Sequence, residues 1–180
     1  TRQYKYILLN KPRGVISSVK SQDGRSVARN LISIPGFFYP VGRLDYDSEG
    51  LMLFTNDGEL TQRLTHPRHE HEKEYLVLVS TSPKEELLQL WRSGIVLSDG
   101  YKTKPASIRI IGTENPGVWI SVILKEGHKR QIREMGKATG LVVIRIIRTR
   151  IGKIKLGSLK PGEWRSLTSS EISAIRKSVV

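Results

Sequence analysis

The apolar residues of this chain come in short bursts. Tyr4–Asn10 (YKYILLN), Leu51–Thr55 (LMLFT), Glu74–Ser80 (EYLVLVS), Val118–Leu124 (VWISVIL) and Leu141–Ile147 (LVVIRII) are each five to seven residues long. Runs of that length, rich in Val, Ile or Leu and bounded by turn residues, read as strands of a buried sheet. A helix is told from a strand by apolar positions recurring on a 3.6-residue period, which these runs are too short to show. Further strands are predicted at Val15–Val19, Ala106–Ile111 and Arg148–Leu156. Strand-like runs outnumber helical ones and do not alternate regularly with them, so the predicted class is α+β with a mixed, mainly antiparallel sheet and flanking helices.

Helices are predicted where an apolar face meets a cap. Asn56-Asp57-Gly58 turns into a helix at Glu59–Thr65. Pro83–Ser93 has Ser82 as N-cap, Glu85 to complete a capping box, and Leu87, Leu88 and Trp91 on one face. Further helices are expected at Arg25–Ile32 and Lys129–Thr139, and a last one from Ser169, capped by Thr168 with Glu171 three residues on. His66-Pro67-Arg68 breaks the pattern and places a lobe boundary there. One domain, 1–180, is expected to hold lobe one at about 1–66 and lobe two at about 67–180.

Charge narrows the partners. Thirty Lys+Arg stand against seventeen Asp+Glu, a net +13, and such an excess concentrates polyanions and lets phosphates replace counterions. Nucleic acid is the first partner this implies, with an anionic membrane surface second. The chain has no cysteine, which excludes disulfides and Cys-ligated zinc and fits a reducing cytoplasm. No apolar run approaches the ~20 residues that span a bilayer, and Thr1–Tyr6 lacks the layout of a secretory signal. A monomer without membrane attachment is the expected state.

Three constellations carry chemistry. Gly42-Arg43-Leu44-Asp45-Tyr46-Asp47-Ser48-Glu49-Gly50 packs three carboxylates and an arginine between glycines, directly before a buried strand. Side chains at the entry to a rigid element are well held, as catalysis requires. An EF-hand reading fails because the twelfth position is Asn56, not Glu, and the next segment is a strand. The second constellation is Lys125–Met135 (KEGHKRQIREM), where a helix start presents Lys129, Arg130 and Arg133. In the third, Arg145, Arg148 and Arg150, with Lys153 and Lys155, interleave with isoleucines. Alternation makes this a basic strand face for phosphates, with Gly152 as a bulge. His66, His69 and His71 lie on no recognisable metal-binding spacing, and neither a P-loop nor a dinucleotide fingerprint is present.

Gly42–Asp45, Ser48–Leu51 and Thr55–Gly58 together resemble the signature of ribosomal pseudouridine synthases, in the branch acting on small- and large-subunit RNA. Leu9–Gly14 (LNKPRG), Lys73-Glu74-Tyr75, Glu126-Gly127 with Arg130–Arg133 (RQIR), and Gly162–Arg165 (GEWR) match in order and spacing, so the resemblance spans nearly the whole chain. It implies a two-lobed mixed sheet with a central RNA-binding cleft, ribosomal RNA as substrate, and neither metal nor cofactor. Many relatives open with a small S4-like RNA-binding domain. This sequence is expected to lack it, as a compact member or because it was removed.

By the same resemblance Asp45 is the catalytic carboxylate, Arg133 its cationic partner, and Tyr75 the aromatic that stacks on the target base. Arg43, Lys73 and Arg130, with Lys129, are assigned to RNA phosphates or to bracing the loop. Two departures stand out: His128-Lys129 replaces the usual Arg-Asn, and Glu134 stands where a second basic residue is common. The competing reading is a non-catalytic rRNA-binding or ribosome-assembly protein. It accounts for the charge but gives the Asp45 loop no purpose. A nucleoside hydrolase is the lesser rival.

Overall fold

The structure, a computed structural model, describes residues 3–180. Thr1 and Arg2, counted in lobe one, lie outside the described residues. In chain order the elements are β1 (Tyr6–Lys11), β2 (Tyr39–Val41), β3 (Glu49–Thr55), α1 (Gly58–Thr65), β4 (Lys73–Val79), α2 (Glu85–Ser93), β5 (Ser107–Glu114), β6 (Gly117–Leu124), α3 (Gln131–Thr139), β7 (Val143–Ile151), β8 (Ile154–Lys155), β9 (Trp164–Ser166) and α4 (Ser169–Lys177). Two compact units form: Thr1–Glu70 with Thr149–Val180, and His71–Arg148. The sequence divided the chain near 66. The stretch after Arg148 differs from that division, because β9 pairs with β1, aligning Leu9 with Trp164.

In the first unit, β3 pairs antiparallel with β1 (Lys11 opposite Gly50, Tyr6 opposite Thr55) and with β2 (Val41 opposite Leu53). Every residue of β1 and β3 is buried, so these strands read as continuous apolar runs instead of alternating ones. Ile7, Leu9, Met52 and Phe54 meet Val15, Ala28, Ile32 and Phe38 in one core. Leu44, from the acidic loop, plugs into the same core. α1 starts where predicted: Asp57 accepts the Leu60 amide at 3.1 Å.

In the second unit, β6 lies between β4 and β5, with Tyr75 and Ile108 both opposite Val122. Val77, Val79, Ile120 and Val122 pack on Leu88 and Trp91 of α2 and on Ile132 and Met135 of α3. Fully buried Trp91 donates from Nε1 to Thr139 Oγ1 at 3.1 Å.

Several local expectations shift. Val15–Val19 makes only a bridge, Ile16 to Val27, and Arg25–Ile32 tightens to a 3-10 turn at Ala28–Leu31. The Ser82–Glu85 capping box does not form. Lys84 is extended and serves as the N-cap, and the Glu85 carboxylate turns instead to Arg92 at 2.8 Å and Gln89 at 3.1 Å. The two strands expected at 141–147 and 148–156 are one strand, β7, followed by a hairpin to β8. Gly152 sits in that hairpin with φ +55, between the paired Ile151 and Ile154, and is not a bulge. The Thr168–Glu171 capping box of α4 is present in full.

Candidate active site

The acidic loop of the first unit is held by main-chain contacts at successive residues. The Ser17 hydroxyl bonds both sides of Leu44, donating to its carbonyl at 2.5 Å and accepting from its amide at 2.8 Å. The Tyr46 carbonyl accepts from the Gly14 amide at 2.9 Å and, at a long 3.5 Å, from Lys11 Nζ. Within the loop, the Asp45 carbonyl accepts from Ser48 N at 3.0 Å. Asp45 is partly buried, while Ser48 and Glu49 are buried. The carboxylate therefore rides on a backbone fixed on both sides of it.

Beneath this loop lies Lys11, which has no exposed surface. Its ammonium donates to the Pro12 carbonyl at 2.9 Å and the Val15 carbonyl at 2.6 Å. Burial lowers its pKa to about 8, against the pull of the nearby Glu49, Asp47 and Asp45 carboxylates, which favour the charged form. Asn10 joins the Gly162–Arg165 block to the same region, exchanging main-chain bonds with Glu163 and Gly162 at 2.9 and 2.8 Å. Leu9–Gly14 thus supports the loop through Lys11 and Gly14 and ties in Gly162–Arg165 through Asn10, whereas Thr55–Gly58 lies at the far end of β3, where Thr55 is opposite Tyr6.

In the second unit, Lys73 and Tyr75 lie on β4. A methyl at Gly127 would stand 3.3 Å from Lys73 Nζ, so glycine leaves the ammonium its room. Glu126 is 2% exposed and accepts from the Tyr101 hydroxyl, the Lys104 amide at 2.7 Å and Gln131 Nε2 at 2.9 Å. His128 stacks on Tyr101, with centroids 3.9 Å apart, and its Nε2 lies 2.7 Å from Asp99 Oδ2. The Tyr101 amide and then His128 hold the Asp99 carboxyl below its usual range. Next comes Arg130, the one non-glycine residue with positive φ among the described residues, at +52. That left-handed conformation costs about 1–2 kcal/mol, and strain of this kind collects where a backbone must aim functional groups. It starts α3, whose first turn carries the partly buried Arg133.

The comparisons with known proteins fit this layout. Residues 5–138 match the family model described as RNA pseudouridylate synthase. The chain belongs to that family. An RNA pseudouridine synthase of Aquifex aeolicus is 42% identical over 177 residues, covering 97% of this chain and 71% of its own. Ribosomal large subunit pseudouridine synthase B of Bacillus subtilis is 40% identical, covering 95% of this chain and 71% of its own. Synthase E of Xanthomonas campestris is 39% identical, covering 88% and 93%. A pseudouridylate synthase crystal structure superposes with a TM-score of 0.86 at 34% identity, over 97% of this chain and 75% of that one. The protein is accordingly an isomerase acting on RNA uridine, with the expected α+β fold.

The synthase arranges its remaining basic residues differently from the sequence expectation. Arg145 and Arg148 fall on opposite faces of β7, and Arg148 is only 3% exposed. Arg145 covers the Trp119 ring at 5.7 Å, and Arg150 donates to the Gly152 carbonyl at 2.8 Å. A single exposed basic face therefore does not form: residues three apart on a strand point to opposite sides, so strict alternation separates Arg145 from Arg148. Arg43 and Lys129 are exposed. Glu134 bonds to Ser98 at 3.3 Å and Lys137 at 3.4 Å. Among the described residues no His, Asp and Glu group is disposed to hold a metal, and no helix is long and apolar enough to cross a membrane.

Sequence reasoning passed over the roles of Lys11, Ser17, Asp99 and Tyr101. Lys11 had a signal in its Lys-Pro-x-Gly context; the others act through folded proximity alone. The Glu126 hub predicts a large stability effect. Glu126→Ala strands three donors and is expected to cost about 3 kcal/mol, read as a lower urea midpoint, with Glu126→Gln intermediate because one acceptor oxygen survives. A midpoint unchanged in Ala would remove the hub from the account.

Proposed function

We propose that this synthase converts a uridine of ribosomal RNA to pseudouridine, with Asp45 as the catalytic carboxylate. The observation that carries the proposal is the loop of Asp45, fixed at Leu44 and Tyr46 by bonds from Ser17, Gly14 and Lys11. The ribosomal substrate is supported by the relatives named as large subunit synthases. The reaction breaks the N1–C1′ bond, turns the uracil, forms C5–C1′, releases the C5 proton and returns a proton to N1. No atoms are gained or lost. A carboxylate at C1′ and C2′ serves this chemistry by stabilising positive charge, by adding to C1′, or by removing a sugar proton.

In this reading Arg133 is the cation that serves the Asp45 carboxylate. Tyr75 stacks on the flipped base. Arg43, Lys73, Lys129 and Arg130 take phosphates, offsetting the few kcal/mol that flipping costs. The bacterial relatives support the cytoplasm as the place of work, since bacterial ribosomal RNA is made and assembled there.

The test is tritium release from C5-tritiated rRNA transcripts and ribosomal subunits, with free uracil and RNA length followed in parallel. Release with intact RNA and no uracil is expected. Free uracil would mean a hydrolase. Tight RNA binding without release from any substrate would mean a binding protein.

A further inference from the structure

Tyr46 directly follows Asp45, and the chemistry assigned above leaves its ring unused. The residue is 44% exposed, yet its ring is held. The Arg25 guanidinium lies over it at 5.2 Å from the centroid. Arg25 is itself tied to Asp23 at 2.8 Å, and Asp23 accepts from the Ser21 hydroxyl at 2.9 Å. The Tyr46 hydroxyl comes close to Gly14, where a methyl would lie 3.9 Å from it. The Tyr46 carbonyl is fixed by the Gly14 amide at 2.9 Å. Ordering a large exposed aromatic costs side-chain entropy and adds nothing to the core. Doing so one residue from a catalytic carboxylate presents a π surface to whatever the carboxylate engages.

We infer that Tyr46, backed by Arg25, is a stacking platform for a nucleobase flanking the target uridine in single-stranded RNA. The inference rests on the synthase reading of Asp45. Flipping the target removes a stacking partner from each neighbour, and an aromatic ring beside the carboxylate replaces one of them. Base–aromatic stacking tolerates any sequence, because every base has a π face. Arg25 polarises the ring from behind and adds positive charge for a flanking phosphate. Net +13 favours such a strand over an acidic or apolar partner.

Binding and turnover test the platform separately. Affinity for fluorescein-labelled octauridylate is measured by anisotropy across a salt series, and kinetics on the RNA that the tritium assay identifies. Tyr46→Ala and Tyr46→Leu are expected to weaken octauridylate binding about tenfold, with the slope of log affinity against log salt unchanged, because stacking releases no counterions. Tyr46→Phe keeps the ring and the parent affinity. Arg25→Ala weakens binding and makes that slope shallower by about 0.7, the value for one phosphate contact on a single strand. In turnover, the loss in Tyr46→Leu falls on KM. An abasic nucleotide beside the target costs the parent enzyme affinity but costs Tyr46→Leu little further.

Parent-like affinity and KM in Tyr46→Leu would overturn the inference. So would a loss confined to kcat, which would make the ring a brace for the Asp45 loop. Should the parent enzyme turn over no RNA, the synthase reading of Asp45 fails, while the octauridylate series still reports on the ring.

Discussion

Asp45→Asn is expected to lower tritium release from C5-labelled RNA by about ten-thousand-fold or more, the scale seen when a group acting on the reacting atoms is removed. The substitution is nearly isosteric. The contacts that fix the loop run through the backbone at Leu44 and Tyr46 and through the Asp45 carbonyl, none of which the change touches. The loop should therefore keep its backbone course, and unfolding should stay cooperative as in the parent. RNA affinity should hold or rise, since one negative charge leaves a surface that meets phosphates. Those three readouts separate chemistry from folding. Lost release with parent-like unfolding and binding identifies the carboxylate as the acting group. Substantial release by the variant would move the chemistry to Asp47 or Glu49, the other carboxylates of the loop, and Asp47→Asn would be measured next. A parallel fall in stability would instead make Asp45 a structural residue.

The sheet was legible in the sequence where its strands are mostly buried, as β1, β3 and β6 are, because a buried strand writes itself as a nearly unbroken apolar run. Leu51–Thr55, Glu74–Ser80 and Val118–Leu124 all reappear within one or two residues. Short polar-flanked segments were not legible, because tertiary contacts decide them. Val15–Val19 has strand composition, yet its Val15 carbonyl accepts from Lys11 and its Ser17 hydroxyl holds Leu44. Ser82 and Glu85 have the spacing of a capping box, but Glu85 finds Arg92 within the same helix, across seven residues. The motif blocks gave the residues of the candidate site without its supports. Glu126 stood out only as a letter in a motif; that it gathers Tyr101, Lys104 and Gln131 is a consequence of folding the 99–104 loop onto the start of α3.

Lys11→Met should cost about a hundredfold in kcat while changing stability by less than about 2 kcal/mol. Two opposing terms produce that split. Burial lowers the lysine from 10.5 to about 8, which corresponds to roughly 3 kcal/mol of penalty for carrying the charge in the folded state. Methionine fills similar volume and removes the penalty, but leaves the Pro12 and Val15 carbonyls without their donor, at about 1–3 kcal/mol each. The terms nearly offset, so the fold survives. The Asp45 loop does not survive unchanged: it loses its bond at Tyr46 and the cation facing Asp45, Asp47 and Glu49. A displacement of about 1 Å in a reacting group is enough for a hundredfold loss. The pH dependence carries the same signature with a definite sign. Between about 8 and 10.5 the unfolded chain holds more protons at this residue than the folded one, so the Lys11 contribution makes stability rise with pH across that window. Below 8 both states are protonated and the full penalty stands. Urea unfolding at pH 7.5, 8.5 and 9.5 should show this rise in the parent and lack it in Lys11→Met. A variant that keeps the parent kcat would show that the loop holds its carboxylate without the buried cation. One that merely unfolds would show that the carbonyls outweigh the desolvation penalty, and that Lys11 is retained for the fold and not for the aim of Asp45.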